Sequence, residues 1–329
     1  MKVGIKDVAK AAGVSPATVS RALAGKAIDP EMRSRVEEAV RRTGYLPNLA
    51  ARRLRSRHSN TIGLIVADIR NPFFTAISRS VEDLAYARGL RVILCNTDEN
   101  PEKEEMYLRL MEEERVLGAI CAPTRRTAGQ VGRVRRGFPI VMVDRAEQGQ
   151  LHDCVVLDNA GASAALVEHL HRQGYRRIAG LFGAASATGA ERRQGYESAM
   201  QRLGLPVRAA YVEHRAGDVD ARLAELLAAP GRPDALIASN GLMLLDVIRA
   251  LQRAGLVVPQ DIALAGFDNE PWTEMVGGGI TLIEQPVEEI GRSAMMLLLD
   301  RVENAAAPPR RIVLDGHCLE RGSTPARRS

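Results

Sequence analysis

The chain has 329 residues, of which 46% are hydrophobic and 26% are charged. One hydrophobic core rarely serves more than roughly 300 residues, so this length excludes a single small module and predicts more than one compact unit. The composition excludes a wholly disordered chain, which would have fewer apolar residues. No apolar run approaches the roughly 20 residues that cross a bilayer, and the first residues lack the apolar stretch of a secretory signal. We therefore expect a cytoplasmic protein without membrane contacts.

Cysteine spacing and the common catalytic motifs also exclude several classes of protein. The four cysteines are far apart and form no CxxC pair or Cys/His cluster, so neither a disulfide framework nor a structural zinc site is expected. The sequence has no P-loop, no G-x-S-x-G and no H-E-x-x-H motif, and no G-x-G-x-x-G between a strand and a helix. It therefore predicts no metal site, no cofactor and no catalytic residue.

The net charge of +5 is unevenly distributed along the chain. Residues 1–60 contain 13 Lys and Arg against 5 Asp and Glu, whereas the remainder contains 32 against 35. A short basic segment joined to a nearly neutral body is typical of a module that binds a polyanion. A merely solvated basic face is the alternative, and the motifs in this segment decide between the two.

Two short helices are predicted at the start of the chain. The first has its apolar side chains at the spacing of one helical face, at Ile5, Val8, Ala9 and Ala12. Gly13 ends it, and Ser15 with Pro16 begins a second helix of about residues 16–24, since serine caps free amides and proline is tolerated in a first turn. Two helices joined by so short a turn are typical of a helix-turn-helix, whose second helix lies in the DNA major groove.

The exposed side of this second helix is the predicted DNA-reading surface. Arg21 can donate two parallel hydrogen bonds to guanine, and Thr18 and Ser20 can reach phosphates or base edges. The predicted contacts on this helix are Ser15, Pro16, Ala17, Thr18, Ser20 and Arg21. A three-helix bundle with no role in DNA binding remains the alternative.

A third helix and a short fourth one follow. Asp29, Pro30 and Glu31 give the third helix a cap, a first-turn proline and an acid near its positive end, and Gly44 ends it. Its inward face is predicted to be Met32, Val36, Ala39 and Val40. Pro47 can begin a helix of two turns, which is too short to persist alone in water and should fold only against a partner.

From residue 61 onward, short apolar runs alternate with segments of helical periodicity. The first series of predicted strands is TIGLIVAD, LRVILCN, GAICAP and PIVMVD, and the second is CVVLDN, RIAGLFG, AYVEH, DALIASN and DIALAGF. Helices are expected near 160–173, 189–203, 219–229 and 241–254. This alternation predicts βαβ units, and hence two doubly wound parallel-sheet lobes with helices on both faces.

Loops after the strands are the expected ligand site, because open parallel sheets bind ligands beyond the carboxyl ends of their strands. These loops contain Asp68 to Phe74, Asp144 with Arg145, Gly183 to Arg193, Asn240, and Asp268 to Trp272. Asp158 and Asn159 are interpreted as turn and cap residues. Two histidines, His169 and His171, and the acids Glu102, Glu104, Glu105 and Glu112 to Glu114 are expected on solvated helix surfaces.

Three segments carry a resemblance to a known family. IKDVAKAAGVSPATVSRAL, TGYLPNLAARRL and TIGLIVADIRNPFF resemble the lactose-repressor/galactose-repressor (LacI/GalR) family of bacterial transcription regulators. The resemblance covers essentially the whole chain. It implies a small all-α helix-turn-helix head followed by an α/β body similar to periplasmic sugar-binding proteins, with a ligand held between two lobes.

The resemblance implies further DNA contacts near the short fourth helix. In the family this helix forms on operator DNA, pairs with that of its dimer mate and inserts a leucine into the minor groove, and Leu54 occupies the leucine's position. An apolar wedge of this kind costs a few kcal/mol of unstacking, which wider contact with kinked DNA recovers. The contacts implied here are Tyr45, Asn48, Ala51, Arg52, Leu54 and Arg55.

The resemblance also implies an effector site. The matching positions are Phe73, Phe74, Asp144, Arg192, Asn240 and Asp268. Carboxylate and guanidinium groups suit the hydroxyls of a sugar, and an aromatic face suits the apolar side of its ring. Trp272, the only tryptophan, is our candidate for that face, whereas Phe74 can equally be a core residue.

These observations predict a homodimeric, effector-responsive DNA-binding regulator that binds a pseudo-palindromic operator. Repression of transcription is the favoured role. We divide it into a DNA-binding domain at 1–46, a hinge helix and linker at 47–58 and an effector-binding and dimerisation domain at 59–329. Three alternatives remain open: a regulator that needs a non-sugar co-repressor, a sugar-processing enzyme with an accessory DNA-binding module, and a sugar carrier.

Overall fold

The structure is a computed structural model that describes residues 3–23, 27–45, 59–146, 149, 151–184, 187–213 and 217–327. The chain divides into two compact units, Met1–Ser59 and Asn60–Ser329. The short helix predicted from Pro47 lies outside the described residues. Within the described ranges, no helix is long and apolar enough to cross a membrane.

The first unit contains three helices, α1 (Ile5–Ala12), α2 (Pro16–Leu23) and α3 (Pro30–Thr43). Gly13 adopts a left-handed conformation with φ of 65° at the end of α1, and this lets the chain turn sharply into α2. The Ser15 side chain accepts a hydrogen bond from the backbone N–H of Thr18 at 3.1 Å. Asp29 caps α3 by accepting from two backbone amides. The predicted start and stop signals of these helices are therefore confirmed.

The core of this unit is formed by one face of each helix. Its buried residues are Val8, Ala9, Ala12, Val19, Val36 and Ala39. Two arginines of α3 bind the end of α1, Arg42 through the carbonyl oxygen of Ala11 and Arg35 through that of Gly13. The prediction for Met32 is wrong, because its side chain is 43% exposed on the outer face of α3.

The second unit contains two six-stranded sheets. The strands of the first sheet are β1 (Thr61–Val66), β2 (Arg91–Asn96), β3 (Ala119–Cys121), β4 (Ile140–Val143), β5 (Asp153–Leu157) and β11 (Arg311–Leu314), in the order β11-β5-β4-β3-β1-β2. The strands of the second are β6 (Ile178–Gly183), β7 (Ala209–Val212), β8 (Ala235–Ala238), β9 (Ala263–Phe267), β10 (Thr281–Glu284) and β12 (His317–Leu319), in the order β12-β10-β9-β8-β6-β7. Every recorded pairing is parallel except β10 with β12.

Helices cover both faces of each sheet. They are α4 (Pro72–Ala87), α5 (Pro101–Glu113), α6 (Ala128–Val131), α7 (Asn159–Arg172), α8 (Ala187–Arg202), α9 (Asp218–Ala228), α10 (Gly241–Arg253) and α11 (Val287–Glu303), with a 3₁₀ turn at Pro271–Glu274. Along β1, Ile62 and Leu64 join one hydrophobic cluster whereas Ile65 joins another, because neighbouring side chains of a strand point to opposite faces. The predicted two-lobed α/β body is confirmed.

The chain passes between the two lobes three times. The first lobe contains the first sheet and α11, and the second contains the second sheet with α7 to α10. The crossings lie between β5 and α7, between β10 and α11, and between β11 and β12. At the third crossing Gly316 is packed so tightly that an added Cβ would lie 2.4 Å from the side chain of Ile283. These crossings connect the two lobes covalently.

Candidate functional site

A cleft of about 550 Å³ opens where the carboxyl ends of the strands of both sheets meet. Loops after β1, β2, β3 and β4 line one wall, and residues after β6 to β10 line the other. This is the position at which open parallel sheets bind ligands, and its volume suits a small molecule.

Six of the seven residues predicted for the effector site line this cleft: Phe73, Phe74, Asp144, Arg192, Asn240 and Asp268. The seventh, Trp272, does not line it. Trp272 lies in a 3₁₀ turn and packs, partly buried, against the hydrophobic cluster formed with α9 and α10. The geometry therefore does not support the prediction that Trp272 covers a sugar ring, and the aromatic rings that line the cleft are those of Phe73 and Phe74. Their rings meet edge to face at 5.1 Å, although both also belong to the core of the first lobe.

The first-lobe wall contains a carboxylate directly after β4. Asp144 has a left-handed backbone with φ of 66° and lies with its Oδ2 3.2 Å from Nε of Arg145. Burial raises the pKa of Asp144, and Arg145 and Arg192 oppose this shift. Asp144 accordingly sits beside positive groups at the floor of the cleft, where it can accept hydrogen bonds from hydroxyl groups.

A second carboxylate orders two arginines in the same wall. Glu99, after β2, also has a positive φ, of 58°. Its Oε1 lies 2.8 Å from Nη1 of Arg145 and 3.3 Å from Nε of Arg125, and its Oε2 accepts the backbone N–H of Arg125 at 2.9 Å. Glu99 thus forms ion pairs with two guanidinium groups, those of Arg145 and Arg125. No sequence pattern singled out either Glu99 or Arg125.

Asp268 provides the carboxylate of the second-lobe wall. It follows β9, with φ of 73°. Its Oδ2 accepts the N–H of Gly241, the first residue of α10, at 2.7 Å, and its Oδ1 accepts from Nε2 of Gln285 at 2.6 Å. Gln285 lies in the crossing between β10 and α11. Asp268 therefore ties the start of a helix to a segment that joins the lobes.

Arg192 is buried in the same wall, with 4% of its surface exposed. Its Nε donates to Oδ1 of Asn159 at 2.8 Å, and its Nη1 donates to the carbonyl oxygen of Ser239 at 2.5 Å. The guanidinium carbon lies 4.0 Å from the centre of the Phe267 ring. Burial lowers the pKa of Arg192, and the charges of Asp268 and Asp144 oppose this shift. Asn159, at the first crossing, was predicted as a cap residue; the contact with Arg192 was not foreseen.

Asn240 caps α10 and also lines the cleft. Its Oδ1 accepts the backbone N–H of Met243 at 2.8 Å. The side-chain amide nitrogen has no hydrogen-bond partner within the described ranges, which leaves two donors available.

Backbone strain is concentrated at this site. Among the described residues, five other than glycine have a positive φ, namely Asp98, Glu99, Arg115, Asp144 and Asp268. All except Arg115 line the cleft. Strained backbone of this kind is common where side chains must be held for binding.

Two expectations about surface residues are wrong. His169 is only 1% exposed, because its Nε2 lies 2.8 Å from Oγ1 of Thr324 in the C-terminal segment packed against α7. Glu104 is also 1% exposed and accepts hydrogen bonds from the backbone N–H of Thr124 at 2.5 Å and from the hydroxyl of Thr127. Both residues have polar neighbours on their helices, which suggested a solvated helix face. They are buried by contacts with residues that are distant in the sequence.

The helix-turn-helix residues lie on one surface of the first unit. Ser15, Pro16, Ala17 and Arg21 are exposed, Thr18 and Ser20 are half-buried, and Tyr45 packs against the helical core. Asn48, Ala51, Arg52, Leu54 and Arg55 lie outside the described residues. The exposed side of α2 is thus available for contact with a duplex.

Family models match both parts of the chain. Residues 4–48 match bacterial regulatory proteins of the lacI family, and residues 167–324 match the periplasmic binding protein-like domain. The HTH-type transcriptional regulator PtxS of Pseudomonas plecoglossicida is 35% identical over 332 residues, which cover 99% of this chain and 97% of that protein.

Solved structures share the architecture. The complex of the transcriptional regulator CelR with cellobiose has a TM-score of 0.70 at 28% identity and covers 98% of this chain and 100% of its own. The lac repressor dimer bound to operator and the anti-inducer ONPF has a TM-score of 0.88 at 23% identity. The match covers 99% of this chain and 100% of the lac repressor chain, and it is evidence of the fold alone. The predicted family and fold are confirmed: the chain belongs to the LacI family of bacterial regulatory proteins and is a DNA-binding regulator of transcription.

Proposed function

We propose that this protein is a homodimeric repressor whose affinity for a pseudo-palindromic operator is set by a sugar or sugar derivative bound in the cleft. The observation that carries the proposal is the cleft itself, in which an aromatic pair, two carboxylates and a buried guanidinium converge from both lobes. The complex of the similar regulator CelR with cellobiose supports a sugar as the ligand class. Such a regulator would act in the cytoplasm beside the chromosome, and its cleft would bind without chemical turnover.

We assign base reading to the exposed side of α2, with Arg21 as the residue best suited to guanine. Phosphate contacts and a leucine wedge are proposed for the segment at 47–58, in which Arg52 and Arg55 would meet the backbone and Leu54 would enter the minor groove. Two such heads, one from each subunit of the proposed dimer, would bind the two halves of the site. A symmetric dimer requires a pseudo-palindromic site.

Control by the effector follows from linkage. A ligand shifts operator affinity only by its different affinities for the two lobe arrangements. Arg192 is hydrogen-bonded to Asn159 at the first crossing, and Asp268 to Gln285 at the second. An effector that binds Arg192 and Asp268 can therefore shift both crossing segments through these hydrogen bonds. If the ligand favours the DNA-binding arrangement instead, the same contacts make it a co-repressor.

The first test selects DNA from a random library with the full chain and measures binding by fluorescence anisotropy. We expect a two-fold symmetric sequence, and we expect Leu54→Ala to bend it less and bind it more weakly. If no DNA sequence is enriched at low ionic strength, the proposal is refuted.

The second test screens small metabolites by thermal shift, because a ligand specific for the native state raises the melting temperature. Any hit should change operator affinity, and Asp144→Asn should lose the response while keeping DNA binding.

A further inference from the structure

An arginine stands before each of three neighbouring strands of the second sheet. Arg177 directly precedes β6, Arg208 directly precedes β7, and Arg232 lies shortly before β8. The three strands are adjacent in the order β8-β6-β7, and they run parallel. Their amino ends therefore meet at one edge of the sheet, which is the edge opposite to the cleft.

This edge is strongly positive in a body that is slightly negative as a whole. Residues 61–329 contain 32 Lys and Arg against 35 Asp and Glu. The edge is formed by residues 173–177, 206–208, 230–234 and 325–327, which we call the amino-edge patch. The patch contains five arginines and one carboxylate, that of Asp234. The next strand of the sheet, β9, is preceded by Asp261, whose carboxylate accepts the backbone N–H of Val257.

Hydrogen bonds to backbone carbonyls hold two of these arginines at one turn. Arg177 donates from Nε to the carbonyl oxygen of Arg232 at 2.8 Å, and Arg208 donates from Nη2 to that of Pro230 at 2.9 Å. A Cβ added to Gly231 would lie 3.0 Å from Nη2 of Arg208 and 3.9 Å from Cδ of Arg177. Both side chains therefore flank the same turn, and their carbonyl partners leave the positive charges without a counter-ion.

The single carboxylate neutralises only part of the charge of the patch. The Oδ2 of Asp234 lies 2.5 Å from Nη1 of Arg327 and 3.7 Å from Nη2 of Arg177. Arg208 and Arg232 form no ion pair with any residue that the structure describes. Arg232 is exposed, and Arg177 and Arg327 are about half exposed, with 49% and 45% of their side chains accessible.

Stabilisation of helix ends explains some of these arginines but not all of them. The carboxyl ends of α7 and α9 come shortly before β6 and β8, and cations are favourable at such ends. Arg176 donates to the carbonyl oxygen of His171 in the last turn of α7. Arg208 uses only Nη2 in its contact with Pro230, and Arg232 has no side-chain partner within the described ranges. These two arginines keep donors for a ligand outside the chain.

The spacing of the three arginines suits the phosphate backbone of a DNA duplex. Neighbouring strands lie about 4.8 Å apart, so the amino ends of β8, β6 and β7 span roughly 10 Å. One strand of B-DNA carries a phosphate for about every 3.4 Å of helix axis, so this span faces about three phosphates. A guanidinium group can donate two parallel hydrogen bonds to a phosphate. The patch therefore matches a duplex in both charge and length.

We propose that the amino-edge patch binds the phosphate backbone of a second DNA segment while the helix-turn-helix units hold the first, so that one protein bridges two stretches of duplex. This contact is independent of base sequence, because phosphates carry no sequence information. It weakens steeply with salt, because binding releases the counter-ions of the phosphates. The inference goes beyond the proposed function, since it does not depend on what the cleft binds.

The test asks whether the full chain, when already bound to one duplex, captures another. The operator duplex obtained by selection is immobilised, saturated with protein and washed, and a labelled duplex of unrelated sequence is added at low ionic strength. We expect capture of the second duplex, with an affinity that falls as salt is added. An operator-bound protein that captures no second duplex overturns the inference and leaves the proposed function intact. Capture of vesicles of anionic phospholipid, without capture of duplex, also overturns it in favour of a membrane surface.

The variant R177Q/R208Q/R232Q removes three charges from the patch. It should still hold the immobilised operator, which shows that it is folded, and it should capture the second duplex at least about 10-fold more weakly. The slope of log K against log salt should become less steep by about 2–3, in line with three lost phosphate contacts. R177K/R208K/R232K keeps the charges and should retain most of the capture.

The control, R222Q/R253Q/R292Q, changes the net charge by the same amount elsewhere. Each of its three arginines is exposed and pairs with a carboxylate on another surface. This variant should capture the second duplex as the wild-type chain does, and equal losses in the two glutamine variants would overturn the inference. Should R177Q/R208Q/R232Q fail to fold, Arg232→Gln alone, whose side chain has no partner among the described residues, should still lower the slope by about 0.9. An unchanged slope would overturn the inference.

Discussion

Asp268 provides a sharp test of how the cleft is held together. Its two oxygens accept from the N–H of Gly241 and from the side chain of Gln285, and its backbone has φ of 73°. In Asp268→Asn, the remaining oxygen can still accept from Gly241, and the new NH₂ group can donate to Gln285 after that side-chain amide turns over. Asparagine also tolerates the left-handed backbone. Asp268→Ala removes both acceptors and adds left-handed strain.

The two substitutions should therefore differ widely in stability. A hydrogen bond to a charged group contributes about 1.5–3 kcal/mol, and left-handed backbone costs an alanine about 1–2 kcal/mol. Asp268→Ala should lose roughly 4–8 kcal/mol of unfolding free energy, a large part of the 5–15 kcal/mol typical of native proteins. Asp268→Asn keeps both contacts in neutral form and should lose about 1 kcal/mol.

Urea unfolding followed by the fluorescence of Trp272 measures this difference, because the only tryptophan packs in the same lobe. Asp268→Asn should keep the operator affinity of the effector-free protein, while its response to effector falls with the loss of the charge. Equal unfolding free energies for the asparagine and alanine variants would refute the reasoning, since they would mean that the two hydrogen bonds contribute nothing.

Three further outcomes are expected. Arg21→Ala should weaken binding to the operator by about 1–3 kcal/mol and binding to random DNA only slightly, as measured by anisotropy; equal losses on both would exclude base reading. Glu104→Gln should raise the unfolding free energy at pH 8 and lose this advantage toward pH 5. The pKa of Glu104 is raised, chiefly by burial, so the carboxyl favours the folded state only at low pH and loses that contribution as the pH rises through its folded pKa. Asp153→Ala should lower the unfolding free energy measured in urea by about 3–5 kcal/mol, because it leaves the guanidinium of Arg301 without its carboxylate partner. In the wild-type chain this guanidinium donates to both oxygens of Asp153, at 2.8 and 2.9 Å. The exposed pair of Arg41 and Glu38 is the control, and its removal should leave the unfolding free energy unchanged.

Most of the architecture could be predicted from local signals. Gly13 and Gly44 end helices because glycine reaches the left-handed conformation cheaply, and Asp29 with Pro30 begins one because it satisfies free amides. The alternation of apolar strands with helical segments predicted two parallel sheets, and the carboxyl ends of those strands predicted the cleft. Each of these signals acts over a few residues, so it can be read along the chain.

Pairing across the fold could not be predicted in this way. Glu99 meets Arg125 and Arg145, and Arg192 meets Asn159, only because different strands end at one edge, and no local pattern records which loops become neighbours. Trp272 was expected in the cleft because of its residue type and its loop, yet it packs, partly buried, against a hydrophobic cluster.

The sequence by itself determined the helix-turn-helix, the two α/β lobes and the edge at which a ligand would bind, because backbone periodicity and helix capping are local. Tertiary structure alone decided which charges are buried, as Arg192 is, and which are paired, as Glu99 is with Arg125 and Arg145. Burial and ion pairing depend on contacts between residues distant in the chain, such as Asp268 with Gln285 and His169 with Thr324.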